Sequence, residues 1–572
     1  MTLAASPSFV EATDTWTQSY TPHGWPWWAC AAMSSIPILV VFYALAVQRT
    51  SAPRAAAAGA GAALLVSWLW VGMPLHMAAK SFALGALVGL LPIGWIVFSA
   101  IFLYQIAVDT GQFEVMKRSI GRLTSDRRLQ VLMISFSFGA ILEGAAGFGT
   151  PVAICAALLV GLGVRPFTAA VLCLIANTAP VAWGSIGTPL IMLEKVSGLP
   201  IADLSAMNAR ILPIISVIVP IWLVRSMVPW KETLEVLPAT LVCGVSFAAT
   251  QFVWGNYINV GLVDIVSGIV SLVSLALFLT VWKPRSTWRY CEDDDDAEKS
   301  GPSLSNVQIV RAWLPFLVLF IAVISWGLLR EKAGMDQWAL GPIKAKYDFA
   351  MPGLNEAVFR NYPVVPIEKA MEPEKAIYEL KWLSAAGTGV FVACVVTSIL
   401  LGHRPRAFLH SLLGTARRMR VPLLAITPML GLAYVTRYSG LDAILGLAFT
   451  RTGVLYPFFG TFLGWLGVAL TGSDTSSNAL FGSLQRITAE QLKLNPILMC
   501  AANSAGGVMG KMIDAQSIVV AATAANLPRS EGKILLAVLW HSIGLTSLVA
   551  LIVFVYAYCL PGWVPSGVRL WF

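Results

Sequence analysis

Long apolar runs separated by short polar segments dominate the chain. A helix that spans a bilayer needs about 20 mostly apolar residues. The runs of that length predict spans at 28–47, 55–73, 82–107, 168–190, 208–228, 236–255, 258–282, 309–328, 384–402, 421–436, 496–513 and 534–558. Gly, Ser and Thr interrupt two more apolar stretches, 131–163 and 453–485, which are predicted to be re-entrant hairpins of two half-helices. The pattern predicts an all-α integral membrane protein with about 12 transmembrane helices and two re-entrant hairpins.

Composition supports the membrane assignment. Of the 572 residues 57% are hydrophobic and 12% charged, whereas a soluble chain is about a quarter charged. The net charge of +9 could suggest a nucleic-acid partner, but the bases cluster in short segments between apolar runs. That distribution is typical of the positive-inside bias, so the expected partner is the lipid bilayer, with no nucleic acid. The eight cysteines form no CxxC pair, so the sequence predicts no metal site.

Basic residues set the expected orientation. Segments 109–130 and 403–420 each hold five or more bases, so they are expected in the cytoplasm with the N-terminus outside. Residues 1–25 lack Lys and Arg, which indicates a retained tail rather than a cleavable signal. The predicted organisation is a periplasmic N-terminal tail 1–27, a first membrane half 28–282, a cytoplasmic loop 283–308, a linking span 309–328, a periplasmic loop 330–382 and a second membrane half 384–560.

Two parts of the chain resemble each other in order and spacing. Gly111 aligns with Gly440, and the triplet 176–178 with 502–504 at nearly the same offset. Repeat one covers about 55–228, and repeat two lies within 384–560. Their first spans are an odd number of spans apart, so the copies are predicted to have inverted topology. Inverted repeats that meet at the bilayer midplane, with broken helices at the site, are found in many secondary transporters.

The two hairpin tips carry most of the candidate chemistry. In the first tip, Gly147 and Gly149 free the backbone, and Thr150 is a plausible N-cap for a half-helix that starts at Pro151. Such a helix start attracts anions. In the second tip, 471–478, seven of eight residues carry a side-chain hydrogen-bonding group. A polar extramembrane turn with ordinary caps is the alternative interpretation.

Breaks in two full spans supply further candidates. Asn177-Thr178-Ala179-Pro180 and Asn503-Ser504-Ala505-Gly506-Gly507 contain helix-loosening residues beside amides that can bind a carboxylate. A structural kink capped by Asn is the alternative. The candidate substrate-binding residues are Gly147, Gly149, Thr150, Asn177, Thr178, Ser473, Thr475, Ser476, Asn503 and Ser504.

Ionisable residues at membrane depth are costly and are therefore functional candidates. Glu143 and Asp474, one in each tip, are predicted to couple transport to protons. Lys511 and Asp514 are the next candidates. The acidic run Asp293–Asp296 could mimic the aspartate-rich motif of membrane prenyltransferases, but a solvated loop is the preferred interpretation, because the chain has no second such run.

Four strings resemble the lactate permease family. They are LEGAAGFGTPVAICAALLVGLG (142–163), LIANTAPVAWG (174–184), TGSDTSSNALFGSLQ (471–485) and ANSAGGVMGKMIDAQSI (502–518). The resemblance implies a multi-pass symporter of the bacterial inner membrane that imports L-lactate, and also D-lactate and glycolate, with a proton. It implies no enzymatic activity and no cofactor; a homodimer is left open. Trp183-Gly184-Ser185 and Met512-Ile513-Asp514 depart from the familiar pattern, which could alter substrate choice.

Other functions remain open at this level. One is a sodium-coupled or exchange carrier for other small carboxylates or sulfonates. A membrane enzyme of the prenyltransferase type is a second alternative. A channel is a third, disfavoured because the repeats indicate alternating access.

Overall fold

A computed structural model describes residues 15–48, 50–121, 123–145, 147, 150–289, 305–331, 333–365, 373–527 and 530–571. Helices make up most of these ranges. The first-half helices are α1 Trp27–Phe42, α2 Ala52–Leu65, α3 Leu75–Val88, α4 Gly94–Asp109, α5 Gln112–Gly121, α6 Arg127–Val131, α7 Gly139–Ala145, α8 Thr150–Gly161, α9 Pro166–Ala176, α10 Gly184–Ser197, α11 Ile201–Met227, α12 Trp230–Glu235, α13 Leu237–Val253 and α14 Val263–Val281. The second-half helices are α15 Asn306–Glu331, α16 Ala386–Leu400, α17 Pro405–Ser439, α18 Leu441–Phe449, α19 Tyr456–Thr471, α20 Asp474–Gln491, α21 Pro496–Gly510, α22 Ala515–Ala524 and α23 Glu531–Tyr558.

The number of candidate spans is lower than the sequence suggests. Within the described ranges, ten helical segments are long and apolar enough to cross a membrane, and eleven if α9 and α10, bent by 65°, count as one. The expected count of twelve is therefore not confirmed. The expected span 28–47 corresponds to α1, which continues through π-helical turns over Tyr43–Val47. The expected span 384–402 corresponds to α16, whose 15 residues are fewer than a full crossing requires.

The two stretches expected to be hairpins are each a pair of helices around a break, but a re-entrant course is not confirmed, because Arg127–Ala145 and Leu441–Ala469 are among the ten candidate spans. α6 continues through π-helical turns into α7, forming one wholly buried rod, Arg127–Ala145, and α8 begins at Thr150. In the second half α19 ends at Thr471 and α20 begins at Asp474. Both breaks lie where glycine-containing tips interrupt the apolar pattern.

Short strands occupy the long polar segment 330–382, which is predicted as a loop. β2 (Ala339–Leu340) pairs with β3 (Ile343–Lys344), and β4 (Tyr347–Ala350) pairs with β6 (Ile377–Leu380), both antiparallel. β1 (Trp16–Thr17) runs parallel to β5 (Val358–Phe359) and ties the N-terminal segment to this loop. The acidic run 293–296 lies outside the described residues.

The outer surface of the helices is apolar. Val281 in α14 is 83% exposed and Trp540 in α23 is 74% exposed, as are many Leu and Val side chains on other helices. An apolar exterior of this extent is unfavourable in water but matches the interior of a lipid bilayer. Together with the candidate spans, it identifies a multi-pass membrane protein.

Closely packed glycines position the second half of the site. Gly464 on α19 packs against the backbone of Asn503 on α21, and Gly506 and Gly510 on α21 pack against Thr461 and Trp465 on α19. A side chain at Gly464 would collide with the carbonyl of Asn503. Small residues on both helices let backbones approach closely, a common arrangement in membranes. The result is that the break after α21 lies beside the tip between α19 and α20.

Candidate functional site

A small cavity lies between the two tips and is lined by both halves of the chain. The first half contributes Glu143, Val181, Gly184, Ser185, Thr188 and Pro189, and the second contributes Gly472, Ser473, Asp474, Thr475 and Lys511. Its volume is about 30 Å³, which exceeds the roughly 10–15 Å³ that one water molecule requires. The structure therefore shows a narrow cavity at this site.

Glu143 lies in the last turn of α7, where it is 3% exposed. Its Oε2 atom is buried and has no hydrogen-bond partner among the described residues. A methyl group added at Gly184 would lie 2.8 Å from Oε1, so the carboxyl group rests against the Gly184 backbone. The charges of Lys511 and Asp514 both act on it. The carboxyl group is thus held by packing rather than by a set of hydrogen bonds.

The amide of Asn177 lies beside Glu143 at the end of α9. It is close enough to interact electrostatically with the carboxyl group, but no hydrogen bond of normal geometry joins them. In the described part of the chain both polar atoms of this buried amide are unpaired. Thr178 differs, since its hydroxyl donates to the carbonyl oxygen of Ile175 at 2.7 Å. Asn177 and Thr178 are both predicted binding residues. The amide of Asn177 is available to hydrogen-bond a substrate, whereas the hydroxyl of Thr178 caps its own helix.

Asp474 is the first residue of α20 and faces α21. The break expected at 503–507 is not present, because α21 runs as one helix from Pro496 to Gly510 and ends there. The Oδ2 atom of Asp474 accepts a 2.6 Å hydrogen bond from the hydroxyl of Ser504 and a 3.3 Å bond from the amide of Asn478. Its Oδ1 atom is buried against Gly507 without a partner in the described ranges. The hydroxyl of Ser473 caps α20 by accepting from the backbone N–H of Ser476 at 3.3 Å. The second tip is therefore an ordered helix start that holds a carboxyl group.

Asn503 belongs to a chain of side-chain hydrogen bonds inside the second half. Its amide nitrogen donates to Asn478 Oδ1 at 2.9 Å, and its oxygen accepts from Gln485 Nε2 at 3.1 Å. The hydroxyl of Tyr456 donates to Gln485 Oε1 at 2.8 Å. Both polar atoms of the Asn503 side chain are therefore already hydrogen-bonded to other side chains of the protein. This arrangement favours the structural alternative for Asn503 over direct substrate contact.

Lys511 brings a positive charge to the cavity. Its ammonium group, on a side chain that is 5% exposed, donates to the carbonyl oxygen of Gly472 at 2.5 Å and lies 3.4 Å from Asp514 Oδ2. Asp514 caps α22 by accepting from the backbone N–H of Ser517 at 2.8 Å. Lys511 is therefore fixed between the second tip and the start of α22, where it also acts on Asp474.

The other predicted substrate-binding residues differ in their position relative to the cavity. Gly147 has φ +58°, a conformation that favours glycine, and a side chain there would collide with the hydroxyl of Ser185. Thr150 begins α8, and Gly149 lies outside the described residues. Thr475 lines the cavity, whereas Ser476 contributes its backbone to the helix cap. The structure thus brings Glu143, Ser473, Asp474, Thr475 and Lys511 into one cavity wall.

A strained turn that the sequence did not predict lies next to Glu143, and its Ser185 lines the cavity. Ser185, Ile186 and Gly187 have φ of +46°, +59° and +77°. A β-branched residue in this region is a genuine outlier and costs about 1–3 kcal/mol. Ile186 packs against Gly261 and Gly187 against Val260, which holds the turn in place. The dense Gly, Ser, Thr and Pro content of 184–189, directly after the Asn177 break, was the available signal.

The contact between Gly184 and Glu143 gives a first prediction. Gly184→Ala places a methyl group 2.8 Å from Glu143 Oε1 and must displace the carboxyl group. Because Gly184 has φ −54° and ψ 151°, alanine fits the backbone, so the protein should fold normally. We expect about a tenfold to hundredfold lower transport rate in reconstituted vesicles, as for misplacement of a reacting group by about 1 Å.

The matched control is Gly414→Ala in α17, where an added methyl group meets nothing within 4 Å. It should leave transport and thermal stability essentially unchanged. Equal activity of the two variants would show that the position of the Glu143 carboxyl group is unimportant.

Residues 30–560 match the family model for L-lactate permease. The chain belongs to the L-lactate permease family. Among its relatives, the glycolate permease GlcA of Escherichia coli (strain K12) is 43% identical over 96% of this chain and 100% of that protein. The L-lactate permease of Bacillus subtilis (strain 168) is 41% identical, and that of Escherichia coli (strain K12) 40% identical, each over 96% of this chain and 100% of its own length. Membership in the L-lactate permease family and the candidate spans together identify a membrane transport protein.

Two solved structures are more distantly similar. The antimetabolite efflux pump MtrF of Neisseria gonorrhoeae aligns with a TM-score of 0.44 at 11% identity, covering 85% of this chain and 84% of its own. The YdaH transporter of Alcanivorax borkumensis gives 0.43 at 14% identity, covering 84% and 87%.

Proposed function

We propose that this permease imports L-lactate, and also D-lactate and glycolate, across the bacterial inner membrane by proton symport. The family and the two named substrates of its relatives support the substrate class, since lactate and glycolate are both small 2-hydroxymonocarboxylates. They differ by one methyl group, and a single methylene changes binding in an apolar pocket only modestly. One site can therefore accept both.

The charged side chains that line the cavity are the main support for proton coupling. Among the described lining residues are two carboxyl groups, Glu143 and Asp474, and one ammonium group, Lys511. If both carboxyl groups were ionised, an incoming carboxylate would meet an excess of negative charge in a buried space. Uncompensated buried charge is very costly. Binding of a proton with each anion removes this cost, and one proton per anion also makes the transport step electroneutral.

The polar groups of the second tip provide a binding mode for a 2-hydroxy acid. The ammonium group of Lys511 and the backbone N–H groups at the start of α20 would hold the carboxylate. The hydroxyl groups of Ser473 and Thr475 can bond to the substrate hydroxyl. The start of α8, near Gly147 and Thr150, would approach the anion from the first half. In this mode Asn177, which lies beside Glu143, supplies a further amide.

The order and packing of the helices support inverted repeats. The series α6–α7, α8, α9, α10, α11 corresponds in order to α19, α20, α21, α22, α23. The two series pack reciprocally: α10 contacts α20 as α22 contacts α8, and α11 contacts α21 as α23 contacts α9. Such exchange of partners is expected when two copies are related by a pseudo-two-fold axis in the membrane plane. We propose that the two tips enter the bilayer from opposite sides and separate alternately, within a homodimer.

Uptake by purified protein in proteoliposomes tests this function. Labelled L-lactate and glycolate should accumulate when the outside is more acidic than the inside, and a protonophore should abolish accumulation. An imposed sodium gradient at equal pH should have no effect. Accumulation that follows sodium, or that ignores the pH gradient, would identify a different carrier. Failure to transport either acid would refute the substrate assignment.

A further inference from the structure

A second buried carboxyl group lies behind Glu143, outside the cavity wall. Asp264 in the first turn of α14 is 1% exposed. Neither of its carboxylate oxygens has a hydrogen-bond partner within the described ranges. Leaving a charged group buried and unpaired costs several kcal/mol. A carboxyl group kept in this position needs a partner that can share or neutralise its charge.

Close packing fixes Asp264 against the helix of Glu143. A methyl group added at Gly144 would lie 3.0 Å from the Cβ atom of Asp264 and 2.8 Å from the Ile265 side chain. Further along the same interface, the hydroxyls of Ser137 and Ser271 lie 2.9 Å apart. The small residues let the α7 and α14 backbones approach closely. The residue next to Glu143 therefore touches Asp264 directly.

The electrostatic surroundings of Asp264 are simple. Glu143 is the one described ionisable group whose charge acts on it. The neighbouring helix α13 contributes the thiol of Cys243, but this thiol lies 3.3 Å from the hydroxyl of Ser271, about two turns further along α14. Described cations such as Lys511 act on Glu143 and are not among the charges that act on Asp264. The two carboxyl groups thus form a buried like-charge pair.

We propose that Asp264 is a second proton-holding residue, which shares one coupling proton with Glu143. The proposal rests on the proton symport put forward above. A proton from the outer aqueous phase bonds to one carboxylate oxygen of the pair, so that the two carboxyl groups are not both charged. The same proton leaves to the inner aqueous phase after the substrate anion is released. Carboxyl groups that share a site hold a proton as a pair rather than singly.

Asp264→Asn tests the proposal with three measurements on the full-length protein in proteoliposomes. These are accumulation of labelled lactate in a pH gradient, proton uptake per lactate reported by an internal pH dye, and lactate exchange at equal pH on both sides. We expect accumulation to fall about tenfold or more and proton uptake per lactate to fall with it. Exchange, which needs no net proton movement, should stay within about twofold of the wild type. Asp264→Glu should restore part of the proton uptake.

Ser267→Ala is the matched control on the same helix. The hydroxyl of Ser267 is buried without a partner in the described structure, one turn from Asp264, and it carries no transferable charge. All three measurements should match the wild type. Unchanged accumulation and proton uptake in Asp264→Asn would overturn the inference, as would equal loss of exchange and accumulation, which indicates a structural role. Failure of the wild-type protein to transport lactate or glycolate would instead refute the proposed function, and the inference with it.

Discussion

Glu143→Gln should abolish accumulation of lactate while leaving exchange of bound substrate. Glutamine matches the size of glutamate, so it fits the space against Gly184 where Oε1 lies. It cannot release or take up a proton near neutral pH, and the coupling step therefore loses its carrier. Loss of a positioned proton-transfer group typically costs about a hundredfold to ten-thousandfold in rate. We expect accumulation in a pH gradient to drop to the level of vesicles without protein.

Glu490→Gln is the control for this change. Glu490 makes a 2.8 Å ion pair with Arg486 in which both side chains are about one-third exposed. An exposed pair of this kind is worth about 0–1 kcal/mol, so uptake should be normal. Accumulation of lactate against its gradient by Glu143→Gln protein would exclude Glu143 as the coupling group, whatever the behaviour of the control.

The sequence predicts most of the helical segments because apolar run length is a local property. The expected span 534–558 lies within α23, and 208–228 ends one residue beyond α11. The two interrupted runs also separate into helix pairs at the expected tips, since Gly and Pro act on the backbone nearest them. Errors arise where a helix continues past the end of the apolar run. The expected spans 82–107 and 421–436, for example, are parts of longer helical segments that reach 75–109 and 405–439.

Residues whose role depends on packing could not be predicted in the same way. Asn177 and Asn503 align in the two predicted repeats, yet the amide of Asn177 makes no hydrogen bond of normal geometry, whereas Asn503 is bonded at both polar atoms. Asp264 stands at the start of an apolar run, where a single acid looks like an ordinary helix-end residue. Only the contact between α7 and α14 brings it to Glu143. Such distinctions depend on neighbours that are distant in the chain: Asn478 lies 25 residues from Asn503, and Gly144 lies 120 residues from Asp264.

Lys511→Gln should have the largest effect on substrate affinity. Among the described residues that line the cavity, Lys511 is the one with a positive charge. Without it, no positive charge offsets the carboxyl groups of Glu143 and Asp474 when the substrate carboxylate enters. Asp514 also loses its ion-pair partner, the ammonium group 3.4 Å away. Removal of one partner from a buried ion pair costs about 3–5 kcal/mol. We therefore expect the KM for lactate uptake to rise about a hundredfold or more.

Two variants separate the charge of Lys511 from its shape and from general effects of losing a lysine. Lys511→Arg keeps the charge, but the wider guanidinium group fits poorly beside the Gly472 carbonyl, so KM should be intermediate. Lys533→Gln, at an exposed position of α23, should behave as the wild type. Size-exclusion chromatography of each variant establishes that the fold is intact. If folded Lys511→Gln protein binds lactate as tightly as the wild type does, the anion is not held by this ammonium group, and the carboxylate must instead rest on the helix starts at α8 and α20.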